Sequence, residues 1–174
     1  MLDFRFASSA DIPVVHALVE SAYRGASAKR GWTHEADLLD GQRTDPAALA
    51  DILADRGQCL LLGFAGQALV ACVQLADKGA ALAYLGLITI APDQQGAGLG
   101  KALIAAAEAA AAQRFGARRI EMTVIAQRHE LIAYYARRGY APTGEVRPFP
   151  YGDVRFGIPR RDDLAFVVLA KALT

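Results

Sequence analysis

Cysteine is scarce in this chain: Cys59 and Cys72 are the only two in 174 residues. Two thiols and three scattered histidines cannot complete a metal cluster, so no metal is expected. Both cysteines sit in apolar, strand-like segments, where a thiol acts as a small hydrophobe, and both are expected reduced. A hairpin turning at Ala65-Gly66 would let them face each other. An excess of either charge is also missing. Nineteen basic against eighteen acidic residues give +1, so no bulk field favours nucleic acid or an anionic membrane. No apolar run reaches the roughly 18 residues of a membrane span, because Glu108 interrupts the alanine-rich stretch. Met1-Leu2-Asp3-Phe4-Arg5 lacks the basic-then-apolar pattern of a signal peptide, so a cytoplasmic location is expected. Tryptophan occurs once, at Trp32.

What is present is a globular composition, 53% hydrophobic and 21% charged, at a length suited to one domain over residues 1–174. Phe4-Arg5-Phe6 alternates as a short first strand. Ser8 to Asp11 has capping-box spacing ahead of a helical face at Ile12, Val15, Val19 and Ala22. Residues 25 to 44 show no period. Asp45-Pro46 caps and opens a second helix. Cys59 to Phe64 and Ala68 to Leu75 are apolar strands around a glycine-bearing turn. Leu85 to Ile90 is a buried strand, stopped by Pro92. Ala102 to Arg114 is helical and ends at Gly116. Arg119 to Ile125 alternates as the fifth strand, and Arg128 to Arg138 is a helix capped by Gly139. Another extended segment starts at Tyr140, a long loop covers residues 147 to 161, and a closing strand starts at Leu164. A helical crossover makes the fourth and fifth strands parallel, and the hairpins make the rest mostly antiparallel. The expected class is α/β (α+β): a mixed sheet of about seven strands, its parallel pair splayed, with helices on both faces.

Between the fourth strand and its helix lies Gln95-Gly96-Ala97-Gly98-Leu99-Gly100-Lys101. The first amides of a helix lack partners and, with the macrodipole, attract an anion. Glycines at 96, 98 and 100 admit a phosphate to the backbone, and Lys101 adds charge. A Walker A loop is excluded by Gln95 and Ala102, and a dinucleotide fingerprint by Lys101. Gln-x-x-Gly-x-Gly at Gln95, Gly98 and Gly100 resembles the pyrophosphate loop of the GNAT superfamily of acetyl-CoA-dependent N-acyltransferases. Tyr135-Ala136-Arg137-Arg138-Gly139-Tyr140 is similar to that family's second signature, about forty residues later. The order of elements matches from end to end. One departure is Arg128, where many members carry asparagine. A cation at a helix start opposes the dipole unless Glu130 offsets it, or else it reaches a cofactor phosphate.

The resemblance implies acetyl transfer from acetyl-CoA to a primary amine of a small molecule, protein N-terminus or lysine. It puts the cofactor on Ile88, Thr89, Ile90 and residues 95 to 101, with a backbone amide near Ile88 polarising the thioester carbonyl; Arg128, outside the family pattern, is added as a cofactor-binding candidate on its charge alone. It makes Tyr135 the proton donor to the leaving thiolate. For the base no acid lies on the fourth strand; Glu121, Glu35, His34 and Asp153 remain, with Glu121 on the fifth strand named first. The family's early and late loops frame the substrate, which here means Trp32 and Glu35 on one side, Arg147 and Tyr151 on the other. Arg147 and Arg155 permit an amine that also carries a carboxylate. The expected state is a monomer or homodimer without nucleic-acid or membrane partners. A non-catalytic acyl-CoA sensor or scaffold is the alternative, kept open by the missing base.

Overall fold

The computed structural model describes residues 1–174. The elements, in order, are β1 (Asp3–Phe6), α1 (Ile12–Tyr23), α2 (Gly25–Ala28), β2 (Leu39–Asp40), α3 (Pro46–Ala54), β3 (Gln58–Ala65), β4 (Ala68–Asp77) and β5 (Leu82–Ile90). There follow α4 (Leu99–Phe115), β6 (Arg119–Ile125), α5 (His129–Ala136), β7 (Ala141–Pro148), β8 (Ile158–Pro159) and β9 (Ala165–Ala172). Seven strands form one sheet in the order β1-β3-β4-β5-β6-β9-β7, while β2 and β8 pair apart from it. Every neighbouring pair is antiparallel except β5 and β6. This is the mixed, mostly antiparallel sheet expected from the pattern.

Local chemistry explains the element ends. The Ser8 amide donates to the Asp11 carboxylate at 2.8 Å just before α1. Asp45 accepts from the Ala48 amide at 2.8 Å, with Pro46 at the first helical position of α3. Gly116 ends α4 at φ +63°, a left-handed conformation suited to glycine. The small side chains of Ala107 and Ala111, fully buried beside Leu103 and Ile104, let α4 lie close on the sheet. A second cluster, built from α1, α3 and residues of β3 and β4, covers the opposite face. Helices therefore bury both faces, as expected.

The two cysteines do not face each other. In the β3–β4 register Cys59 stands opposite Leu75 and Cys72 opposite Leu62. Cys59 belongs to the α4-side cluster and Cys72 to the α1-side cluster, and both are buried free thiols. An odd separation along a pleated hairpin sends side chains to opposite faces.

Two features of β5 and the loops were not anticipated. The β4–β5 register shifts between Cys72↔Thr89 and Gln74↔Gly86, so Leu87 and Ile88 together oppose Val73. Leu87 at this bulge has φ +48°, an unusual conformation for a branched side chain. The early and late loops are also tied together. Leu39 and Asp40 pair with Pro159 and Ile158, and Arg24 donates to the Phe156 carbonyl at 3.2 Å.

Candidate active site

The site is built where β5 and β6 part. Their parallel pairing covers only Leu82↔Arg119 to Tyr84↔Glu121, although β5 continues to Ile90 and β6 to Ile125. Across the opening, the Tyr84 and Thr123 hydroxyls lie 3.0 Å apart. The bulge re-aims the backbone of β5 in this gap, and Tyr23 donates to the Ile88 carbonyl at 2.7 Å. Burial pushes the Tyr23 phenol up to about 12, the nearby Arg43 opposing it, so that donor stays protonated.

On one side of the gap is a cavity of about 390 Å³ bordered by Ile88, Thr89, Ile90, Gln95, Gly96, Gly98 and Gly100. Gly96 and Gly98 have φ +85° and +80°, with nothing within 4 Å of an added Cβ. The amides of residues 96 to 101 make no backbone hydrogen bond, and α4 begins at Leu99. They form a row of free donors at a helix start, the arrangement that holds a phosphate. Gln95 fixes the turn from behind: its Nε2 donates to the Ile90 carbonyl at 3.2 Å, and its Oε1 accepts from the Thr33 amide at 3.1 Å. Ala97, Leu99 and Lys101 are not among the residues lining this cavity, although their amides are unpaired. Lys101 is exposed, and Leu99 packs against the α4-side cluster.

Beyond the expected residues, Tyr134, Arg137 and Arg138 border the same cavity. The Arg138 guanidinium sits 3.5 Å above the centre of the Tyr134 ring. A Cβ at Gly100 would come within 2.5 Å of the Tyr134 hydroxyl, so glycine there answers to the tyrosine. The adjacent basic pair before Gly139 was the one available sequence signal for Arg137 and Arg138.

On the other side lies a cavity of about 290 Å³ between the early and late loops, with Arg43, Gln74, Tyr84, Phe149 and Phe156 among its walls. Ile88, Tyr23, Arg128, Leu131 and Tyr135 border both cavities. Tyr135 is 5% exposed, on α5. Burial, reinforced by the neighbouring Tyr23 phenol, holds its own phenol well above 10, so it carries its proton at neutral pH.

Arg128 stands before α5 and is buried. It donates to Glu35 at 3.2 Å and to the Thr33 hydroxyl at 2.8 Å. Its Nε is buried without a partner. Arg24 pairs with the other Glu35 oxygen, and Arg43 Nε lies 3.9 Å from it. Burial alone pushes the Glu35 carboxyl up, but Arg128, Arg24 and Arg43 together hold it below its ordinary value. A carboxylate so held is a weak base. Glu35 acts instead as the hub tying the early loop to α5.

The remaining expected residues are dispersed. Trp32 packs on Tyr134, ring centroids 5.5 Å apart, and so borders the glycine-turn cavity rather than the one between the loops. Glu121 accepts from Arg147 at 3.1 Å, and neither residue lines either of these two cavities. The Tyr151 hydroxyl donates to the Arg161 carbonyl and accepts from the Leu164 amide, bracing the late loop. Asp153 pairs with Arg155, and His34 accepts from the Ala36 amide; neither Asp153 nor His34 lines either of these two cavities.

A mixed sheet thus opens at one parallel pair, beside a row of free amides at a helix start of the kind that suits an anion. Residues 19–140 match the acetyltransferase (GNAT) family, and the chain belongs to that family. It is therefore an acyltransferase, and its general chemistry is acetyl transfer. No curated protein matches it. Among solved structures, it is similar to ribosomal-protein-S18-alanine N-acetyltransferase from Escherichia coli, with TM-score 0.71 and 17% identity over 100% of this chain and 95% of that one. It is also similar to yncA from Salmonella typhimurium, solved with its cofactor acetyl-CoA, with TM-score 0.69 and 16% identity over 100% and 95%. A spermidine N-acetyltransferase chimera from Vibrio cholerae and hSSAT gives TM-score 0.71 and 16% identity over 99% and 95%. At such identities these likenesses bear on the fold alone. No helix is long and apolar enough to cross a membrane.

Proposed function

We propose that this chain, as a single domain over residues 1–174, moves an acetyl group from acetyl-CoA to a primary amine by direct attack on the thioester. The observation that carries the reading is the meeting of two cavities at Tyr135, one lined by free helix-start amides and the other by the two loops. The residues fit the cofactor: six unpaired amides suit a pyrophosphate, and the partnerless Arg128 Nε and nearby Arg138 suit further anionic oxygens.

Acetyl-CoA supplies the activated acetyl group and leaves as a free thiol. The bulged backbone at Ile88 orients the amide that polarises the thioester carbonyl. Tyr135 gives its hydroxyl proton to the departing sulfur and regains one from the nitrogen as the amide forms. That exchange balances even though its phenol is far less acidic than a thiol of about 8.5. Glu121, paired to Arg147 away from both cavities, enters this scheme only through intervening water, and an amine arriving uncharged needs no base on the wall. A sensor would not need the second cavity, which favours the enzyme.

Thiol release from acetyl-CoA across an amine panel tests this, with the N-acetyl product identified by mass spectrometry. Amine-dependent release is expected. Cofactor binding without release on any amine would leave the sensor as the correct reading.

A further inference from the structure

The walls of the cavity between the loops carry a charge pattern that selects the acceptor. Their one carboxylate, Glu35, is already engaged by Arg24 and Arg128. Arg43 borders the same cavity, and its guanidinium makes no hydrogen bond within the chain. It lies with Cζ 5.1 Å from the Tyr23 ring centre and Nε 3.9 Å from a Glu35 oxygen whose charge Arg24 already shares. Two guanidiniums against one satisfied carboxylate leave the wall net positive. Nothing on it offers a second ammonium a free carboxylate.

The remaining walls are apolar or neutral. Phe149 and Phe166 pack with ring centroids 5.7 Å apart, and Phe156 and Ile125 join them on the wall. Gln74 donates through Nε2 to Gln58 at 2.7 Å, while its Oε1 accepts no bond and faces the space left by the missing side chain of Gly86. A Cβ at Gly86 would lie 3.0 Å from that oxygen and 2.8 Å from the Tyr84 ring. The cavity thus offers one guanidinium without a hydrogen-bond partner, an aromatic wall and a neutral acceptor, within a volume at the small end of ligand sites.

We propose that the acceptor is a free α-amino acid with an apolar or aromatic side chain, its carboxylate held by Arg43 and its side chain against Phe149, Phe156 and Phe166. This rests on the acetyl-transfer reading for its amine chemistry, but the recognition is separable from turnover. Polyamines are rejected by the positive wall, and amines lacking a carboxylate leave Arg43 unpaired.

Calorimetry tests the recognition directly. L-phenylalanine, L-leucine, L-methionine, phenethylamine and spermidine are titrated into the protein with and without saturating CoA. At least one amino acid is expected to bind, with phenethylamine and spermidine roughly 10- to 100-fold weaker, the range of a charge-assisted hydrogen bond. Arg43→Ala should bring that amino acid to the phenethylamine level and leave phenethylamine and CoA affinities as they were. Arg43→Lys should recover part of the loss. The unfolding midpoint of each variant is measured so that a folding defect is recognised. Equal binding of L-phenylalanine and phenethylamine, tighter spermidine binding, no binding by any amino acid, or a folded Arg43→Ala protein with unchanged affinity would each overturn the proposal. Amino-acid binding without thiol release would instead sink the acetyl-transfer reading and leave only the recognition of an amino acid by this cavity standing; release with other amines alone would overturn the amino-acid acceptor and leave acetyl transfer standing.

Discussion

Replacing Glu35 probes the buried network most directly. Its side chain is 7% exposed, and those of Arg24 and Arg128 are 6% and 9% exposed. Glu35→Ala removes the only acid among three guanidiniums and leaves at least two buried cations without a counter-charge. Breaking a buried pair from one side costs roughly 3–5 kcal/mol, far more than the pair's net worth against an apolar replacement. With an unfolding entropy of about 2.1 cal/mol/K per residue, that lowers Tm by about 8–14 °C for a chain of this size. Glu35→Gln keeps the shape and an acceptor oxygen, so it should fall between wild type and alanine. The pH dependence carries a sign. The folded-state value of Glu35 lies below its unfolded value of about 4.3, so its stabilisation is fully present above that value and lost as pH falls through the folded one. The Tm gap between wild type and Glu35→Gln should be widest near neutrality and should close below about pH 4. Calorimetric melting from pH 3 to 7 measures it. A gap that stays constant across that range, or a Glu35→Ala protein melting within about 2 °C of wild type, would show that the network carries no such coupling.

Three further outcomes are expected. Tyr135→Phe should lower kcat about 10²–10⁴-fold while leaving the acetyl-CoA dissociation constant within about twofold, as steady-state kinetics and calorimetry will read. Gly100→Ala sets a Cβ 2.5 Å from the Tyr134 hydroxyl and should cost about 1–3 kcal/mol in stability; Tyr134→Phe in the same chain should restore most of it in a double-mutant cycle. Gly157 has φ +103°, with Arg24 Nη2 2.8 Å and the Asp40 carbonyl 3.0 Å from an added Cβ. Gly157→Ala should therefore speed amide exchange in both 39–40 and 158–159, and protection retained in both segments would count against the loop tie.

The sheet was legible because its signals are local. Alternation, caps such as Asp45 and Gly116, and turn residues each act within a few positions, and they specified the seven main strands and the four main helices. The glycine turn was legible for the same reason. The loops were not. Leu39-Asp40 and Ile158-Pro159 are two-residue strands whose pairing depends on contacts more than a hundred positions apart. Trp32 was expected to frame the substrate across from the late loop, yet it packs on Tyr134 of α5, a choice dictated by tertiary packing. Arg128 looked like a local conflict with the helix dipole. Its resolution, Glu35, is 93 residues away. The bulge left one trace: apolar residues at 85 and 87 followed by 88 and 90, so that the alternation stumbles at Leu87-Ile88.

That stumble works like a frameshift in a coding message. Upstream, Ala83 and Leu85 belong to the cluster under α4; downstream, Leu87 joins the α1 side while Ile88 and Ile90 pack toward α4. One inserted residue has re-phased the strand, so each half of β5 is read in its own frame. Deleting Leu87 would restore one frame throughout, at the loss of its side chain from the α1 side. Point changes in this strand are local edits, whereas a change of length by one rewrites which residues meet the core and which meet the cleft.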